Sequence, residues 1–176
     1  DLSFSRLMRS FLRLDPDVIF VGEVRDGETA KIGFDATQTG HLVLNTLHTN
    51  DSVSTVSRLI DLEIDRAQIA ASLSCVVAQR LVRRICPSCI TEYKPNEDEW
   101  HLLFDEYPSH LKFFHGKGCD ACSFTGYKGR ALLSEVFVMD KEISKALNQG
   151  ADIDDLKSLA LERGMKNMLD DGLLKL

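Results

Sequence analysis

No part of this chain is long and apolar enough to span a bilayer: its longest apolar runs, such as Val18 to Val21, are strand-sized, whereas a membrane helix needs about 20 residues. Nothing at its start reads as a cleavable signal. Positive charge is in deficit, with 21 Lys and Arg against 27 Asp and Glu for a net −6, the wrong sign for a domain whose affinity comes from phosphate backbones. Aromatic residues make up 7%, too few for a row of base-stacking platforms, so nucleic acid is not an expected partner. Only 4 prolines occur in 176 residues and no low-complexity tract, which excludes a disordered chain. The chain also lacks an initial Met. Its first dozen residues read as a mid-domain helix feeding a buried strand, so we expect a piece of a longer protein.

What is present suits one domain, or one domain with a small insert. Ser3 can cap a helix whose apolar residues Phe4, Leu7, Met8, Phe11 and Leu12 share a face. Val18-Ile19-Phe20-Val21 does not alternate, and predicts a strand covered on both faces as in parallel sheets. A helix from about Glu28 to Thr37, closed near Gly40, and a second apolar strand from His41 to Leu47 continue a β, α, β order. Asn50 or Asp51 caps a short helix, and Asp65 caps a longer one with Gln68 at the reciprocal position and Ile69, Leu73, Val76, Val77 and Leu81 on one face. From Cys86 to about Tyr127 the helical period weakens. A strand over Arg130 to Met139 and helices near Lys141 to Gln149, Ile153 to Arg163 and Lys166 onward complete the chain.

The odd count of 5 cysteines includes two matched pairs, Cys86-Pro-Ser-Cys89 and Cys119-Asp-Ala-Cys122. Without a secretory signal these favour metal over disulfides and a reducing compartment. Two Cys-x-x-Cys turns complete a tetrahedral thiolate shell, with zinc the expected ion and no open position for water, hence a structural site. Cys75, on the expected apolar helix, reads as a buried small hydrophobe. Arg80, Arg83 and Arg84 then sit at that helix's end, where the dipole favours them.

A second signal is the strand ending Gly22-Glu23 within Asp15 to Asp26. A parallel strand delivers its terminal acid to the carboxyl edge of the sheet, where open α/β folds bind ligands. In nucleotide hydrolases such an acid orients Mg²⁺ or the attacking water; the alternative is a solvated turn residue. The following strand is bracketed by His41 and His48, and His48-Thr49-Asn50-Asp51 gathers polar groups at the edge where Glu23 emerges. Odd spacing prevents both histidines from sharing a face of a regular strand, so His41 is either a hydrogen-bonded structural residue or a ligand reached from the opposite end.

The segments Asp15 to Asp26 and Thr39 to Asp51, followed by Ala78-Gln79-Arg80-Leu81-Val82-Arg83 and the paired cysteines, resemble the GspE/PilB-type secretion ATPases of type II secretion and type IV pilus assembly. The resemblance implies an α/β fold: the carboxyl part of a RecA-like ATPase core over residues 1–85, a tetracysteine zinc-binding insert over 86–127, and carboxyl-terminal strand and helices over 128–176. Gly22-Glu23 resembles the family's Walker B ending and the stretch holding His41 and His48 its His box. By that likeness Gly22, Glu23, His41 and His48 are nucleotide-binding, Glu23 and His48 are catalytic, and ATP and Mg²⁺ join structural Zn²⁺ as cofactors. It further implies a cytoplasmic homohexamer that meets inner-membrane platform proteins peripherally.

One departure is plain. The phosphate loop Gly-x-x-x-x-Gly-Lys-[Ser/Thr] is absent, since the only Gly-Lys pair, Gly116-Lys117, is followed by Gly118 and lacks the upstream glycine. The chain alone is therefore expected to be inactive, without the anion cradle that binds ATP. Two other classes compete: a zinc-ribbon binding module without catalysis, and another RecA-like motor such as a helicase, which shares the Glu-ended strand but gives no reason for the cysteines.

Overall fold

The computed structural model describes residues 4–102 and 104–175. Two compact units emerge: residues up to Gln79 together with those from Ser134 onward, and Arg80–Leu133. The expected cap at Ser3 lies outside the described residues.

The first unit opens with helix α1 (Phe4–Phe11), which continues into one 3₁₀ turn. Met8 alone of its apolar stripe is fully buried, while Phe4 and Phe11 stay exposed. Strand β1 (Val18–Val21) follows, then helix α2 (Gly27–Gln38). Asp26 starts α2 by accepting a hydrogen bond from Thr29 N at 2.8 Å, and Gly40, at φ +95°, closes the chain beyond it. Strand β2 (Leu42–Asn45) runs parallel to β1, in the register Val18 to Leu42 through Val21 to Asn45. The β, α, β order is as expected, but the burial of the strands is not. Ile19 and Val21 face the core, whereas Val18, Phe20, Leu42 and Leu44 form one exposed apolar face. Alternation along both strands explains this: one face turns to the core and the other, among the described residues, is left exposed.

Helix α3 (Ser54–Asp61) is started by Asp51, whose Oδ1 accepts from Ser54 N at 2.7 Å. Helix α4 (Arg66–Ser72) is capped by Asp65 as predicted, through Ala67 N at 2.8 Å. It then departs from expectation. It ends at Ser72, and the chain becomes strand β3 (Cys75–Ile85), so Val76, Val77 and Leu81 lie on a strand. Gln68 makes no capping box; it donates to Asp35 Oδ1 at 3.1 Å. The β-branched pair Val76-Val77 favours extended backbone, and pairing of β3 with a late strand overrides the helical spacing. Cys75 is consequently exposed rather than buried, and the three arginines sit on a strand, not at a helix end.

The second unit contains an antiparallel ladder of β4 (Ile90–Tyr93) and β5 (Phe113–Gly116), with the one-turn helix α5 (Glu97–Trp100) between them. Its fully buried apolar side chains, among the described residues, include the cysteines Cys86 and Cys122 but no aliphatic or aromatic one of the main core. Strand β6 (Tyr127–Val138) pairs with β3. Helices α6 (Lys141–Asn148), α7 (Ile153–Glu162) and α8 (Met168–Leu174) complete the first unit, α6 and α7 capped by Asp140 and Asp152 and α8 by Asn167. Phe137, Leu147, Leu156, Val53, Val56 and Ile69 are its innermost side chains. Among the described residues no helix is long and apolar enough to cross a membrane.

Candidate functional site

Parallel pairing brings the carboxyl ends of β1 and β2 to one edge and extends past the strands, since Val24 N donates to Thr46 O at 3.0 Å. Thr46 Oγ1 donates to the Gly22 carbonyl, and a Cβ at Gly22 would meet nothing within 4 Å, so the edge beside it is open. Two side chains converge there. Glu23 Oε1 lies 3.1 Å from His48 Nε2. Glu23 Oε2 accepts from two nitrogens of Arg25, Nη2 at 2.6 Å and Nε at 2.7 Å. Arg25's hydrogen bond, with its charge and His48 assisting, holds the Glu23 carboxyl below the usual glutamate range, although partial burial opposes the shift. The acid is thus a fixed carboxylate at neutral pH, and His48 is largely exposed beside it.

The loop after His48 is tightly bonded. Thr49 Oγ1 donates to Asp51 O at 3.0 Å and lies 3.0 Å from Thr55 Oγ1. Asp51 meets Lys157 Nζ at 3.2 Å in addition to starting α3. His41 lies at the other end of β2, where its Nδ1 is 3.0 Å from both Ala36 O and Thr39 Oγ1. The edge therefore unites Gly22, Glu23 and His48 and leaves His41 apart. Arg25 and Glu135 were not singled out from sequence. Arg25, two residues beyond Glu23 in irregular backbone, carries no periodic signal, and Glu135 has its partner Ser52 far along the chain.

In the second unit Cys86, Cys89, Cys119 and Cys122 place all four Sγ atoms within 4.8 Å of one another. The separations are 4.0 Å for Cys86 to Cys119, 3.9 Å for Cys89 to Cys122 and 3.8 Å for Cys119 to Cys122. A disulfide would need about 2.05 Å. A tetrahedron with Zn–S bonds of about 2.3 Å has edges of about 3.8 Å, so the donor set fits a structural zinc site. Burial pushes the Cys89 thiol up to about 12. Cys122 is drawn down to about 6 against the opposing effect of burial, by the N–H groups of Cys119 and Gly126. Close backbone packing shapes the cradle: Cys86 N donates to Gly126 O at 2.9 Å and Lys117 N to Cys89 O at 3.1 Å. A Cβ at Gly116 would stand 2.0 Å from Gly126 O, so glycine is required there.

A Glu-ended strand beside a His-bearing loop, with a four-cysteine cradle downstream, is the arrangement the sequence resemblance implies, and comparison with known proteins identifies the family. The family described as type II/IV secretion system protein matches residues 1–176. The chain belongs to this family. Within it, the type IV pilus assembly ATPase PilB of Thermus thermophilus is 44% identical over 176 residues, covering 99% of this chain and 20% of PilB. The type II secretion system protein HxcR of Pseudomonas aeruginosa is 44% identical over 172 residues, covering 98% of this chain and 33% of HxcR. Among solved structures the Legionella pneumophila ATPase DotB matches with a TM-score of 0.63 at 25% identity, covering 98% of this chain and 38% of DotB. The chain thus spans a minor part of the length of each of these relatives, and its mixed α/β fold is that of secretion-family ATPases.

Proposed function

We propose that this chain is the carboxyl part of a RecA-like motor ATPase whose hydrolysis of ATP drives assembly of a type II secretion pseudopilus or a type IV pilus. The observation that carries the reading is the ionised Glu23 at the carboxyl end of a parallel strand, oriented by Arg25 and facing His48 on the neighbouring strand's loop. In this reading Glu23 is the catalytic carboxylate, which fixes the attacking water and the Mg²⁺ shell, and His48 is a polar contact near the terminal phosphate. Gly22 leaves the edge open for nucleotide. His41 serves the site from a distance, by fastening the start of β2 to the end of α2. These residues supply the acid and imidazole side of a phosphate site and not its cradle, so the chain alone neither binds Mg·ATP tightly nor hydrolyses it. Zinc in the four-cysteine shell holds the second unit in shape. The complete protein works as a cytoplasmic homohexamer, docked peripherally on inner-membrane platform proteins.

The test is Glu23→Gln in the full-length protein, which keeps size and hydrogen bonding but removes charge. ATP binding should persist while hydrolysis falls steeply. A rate within about twofold of the parent, less than ~0.5 kcal/mol in transition-state stabilisation, refutes the assignment.

A further inference from the structure

Glu135 sits on β6 in the first unit with only 5% of its surface exposed. Its Oε1 accepts two hydrogen bonds from Ser52, from the backbone N at 2.6 Å and the hydroxyl at 2.7 Å. Its Oε2 accepts from Met168 N, at the start of α8, at 3.2 Å. Ser52 is itself fully buried. A buried carboxylate is costly unless hydrogen bonds to it replace water, and these three donors do so with no cation paired to it among the described residues. A neutral apolar side chain could fill the same space at less cost, so the acid calls for a reason beyond packing.

The reason lies in what Ser52 terminates. Around it, Thr49 and Asp51 on the upstream side and Ser54 and Thr55 on the downstream side form the bonded turn described above, and Lys157 of α7 holds Asp51 from the same unit. His48 projects from the near end of that turn and reaches Glu23. We propose that Glu135 is a positioning residue: by gripping Ser52 it sets the His48–Ser52 loop so that His48 meets Glu23. Lys157 is a second strap on the same loop, and together they tie the nucleotide-facing edge to the carboxyl-terminal helices. The catalytic consequence rests on the function proposed above; the mechanical link does not.

Two measurements separate the two. In the chain described here, Glu23→Gln should shift the ring signals of His48 in NMR spectra, because the 3.1 Å contact loses its charge. That response should vanish in a Glu135→Ala background and survive in Glu135→Gln, whose carbonyl still accepts from Ser52 while its amide can no longer accept from Met168 N. Ser52→Ala, which deletes the hydroxyl half of the link without emptying the site, should weaken the response and keeps the test open if Glu135→Ala does not fold. An undiminished response in Glu135→Ala or Ser52→Ala overturns the proposal. In the full-length ATPase, Glu135→Ala should lower kcat by about tenfold or more with KM within about twofold, and Glu135→Gln should restore it. A rise in KM at unchanged kcat overturns positioning, whereas hydrolysis insensitive to Glu23→Gln overturns the nucleotide reading alone and leaves the NMR link to stand by itself.

Discussion

Removing the metal from the four-cysteine shell should unfold the second unit and spare the first. Within Arg80–Leu133 the buried apolar side chains, among the described residues, include Cys86 and Cys122 of the four-cysteine cluster and none of the main hydrophobic core. Its order otherwise rests on the short β4–β5 ladder, on the part of the β3–β6 pair that falls within it and on ring contacts such as Arg83 over Tyr127 at 4.0 Å. An isolated two-stranded ladder is at best marginal in water. Ordering the segment costs roughly 1–2 kcal/mol per residue in backbone entropy, and structural zinc contributes on the order of 10 kcal/mol toward it. We therefore expect one zinc per chain by elemental analysis. Chelation, or Cys122→Ser, should abolish amide protection in Ile90–Tyr93 and Phe113–Gly116 while Val18–Val21 and the helices of the first unit exchange as before. Substoichiometric metal in protein purified without chelator, or unaltered exchange in β4 and β5 after complete chelation, would refute the argument.

Phe137 is fully buried on β6, so Phe137→Ala should destabilise the first unit by about 3–5 kcal/mol, read as a lower urea midpoint. Asp51 is held below the usual aspartate range: burial opposes this, but Ser54 and Lys157 outweigh it. Its contribution is therefore complete above the ordinary aspartate value and is lost as pH falls through the lowered one, so Asp51→Asn should flatten the acid limb of the stability profile. Cys75 is exposed and should react with a maleimide in the native protein, one equivalent per chain, with the other four thiols following only after chelation; a thiol that resists until denaturation would contradict its place on β3.

The fold was legible where local chemistry and tertiary pairing agree. Asp51 and Asp65, both expected at helix starts, accept the backbone N–H groups of Ser54 and Ala67. The apolar runs Val18–Val21 and Leu42–Asn45 pair in parallel, and their carboxyl ends deliver Glu23 and His48 together. Reading failed where spacing allowed two answers. Ile69, Leu73, Val76 and Val77 recur at helical intervals, yet the helix ends at Ser72 because the chain beyond it can extend against β6. With that error went the burial of Cys75 and the helical setting of Arg80, Arg83 and Arg84. The link from Glu135 to Ser52 spans 83 positions, and no periodicity or cap encodes a contact of that range.

The two oxygens of Glu23 are not equivalent, and the difference orders the roles proposed for its neighbours. Arg25 Nη2 and Nε converge on Oε2, so that oxygen is committed to orientation and its hydrogen bonds sustain the charge. Oε1 has the single contact with His48, whose side chain is 87% exposed and can swing aside at little cost. Only Oε1 can be released to water without disturbing the carboxylate's alignment. In the nucleotide site proposed above, the imidazole would then be free to face the terminal phosphate, while the turn fastened through Ser52 would keep its backbone in place. A site that exchanges one contact of an acid and holds the other needs a fixed base under the mobile ring, and this is the role proposed for the buried Glu135 through its two hydrogen bonds from Ser52.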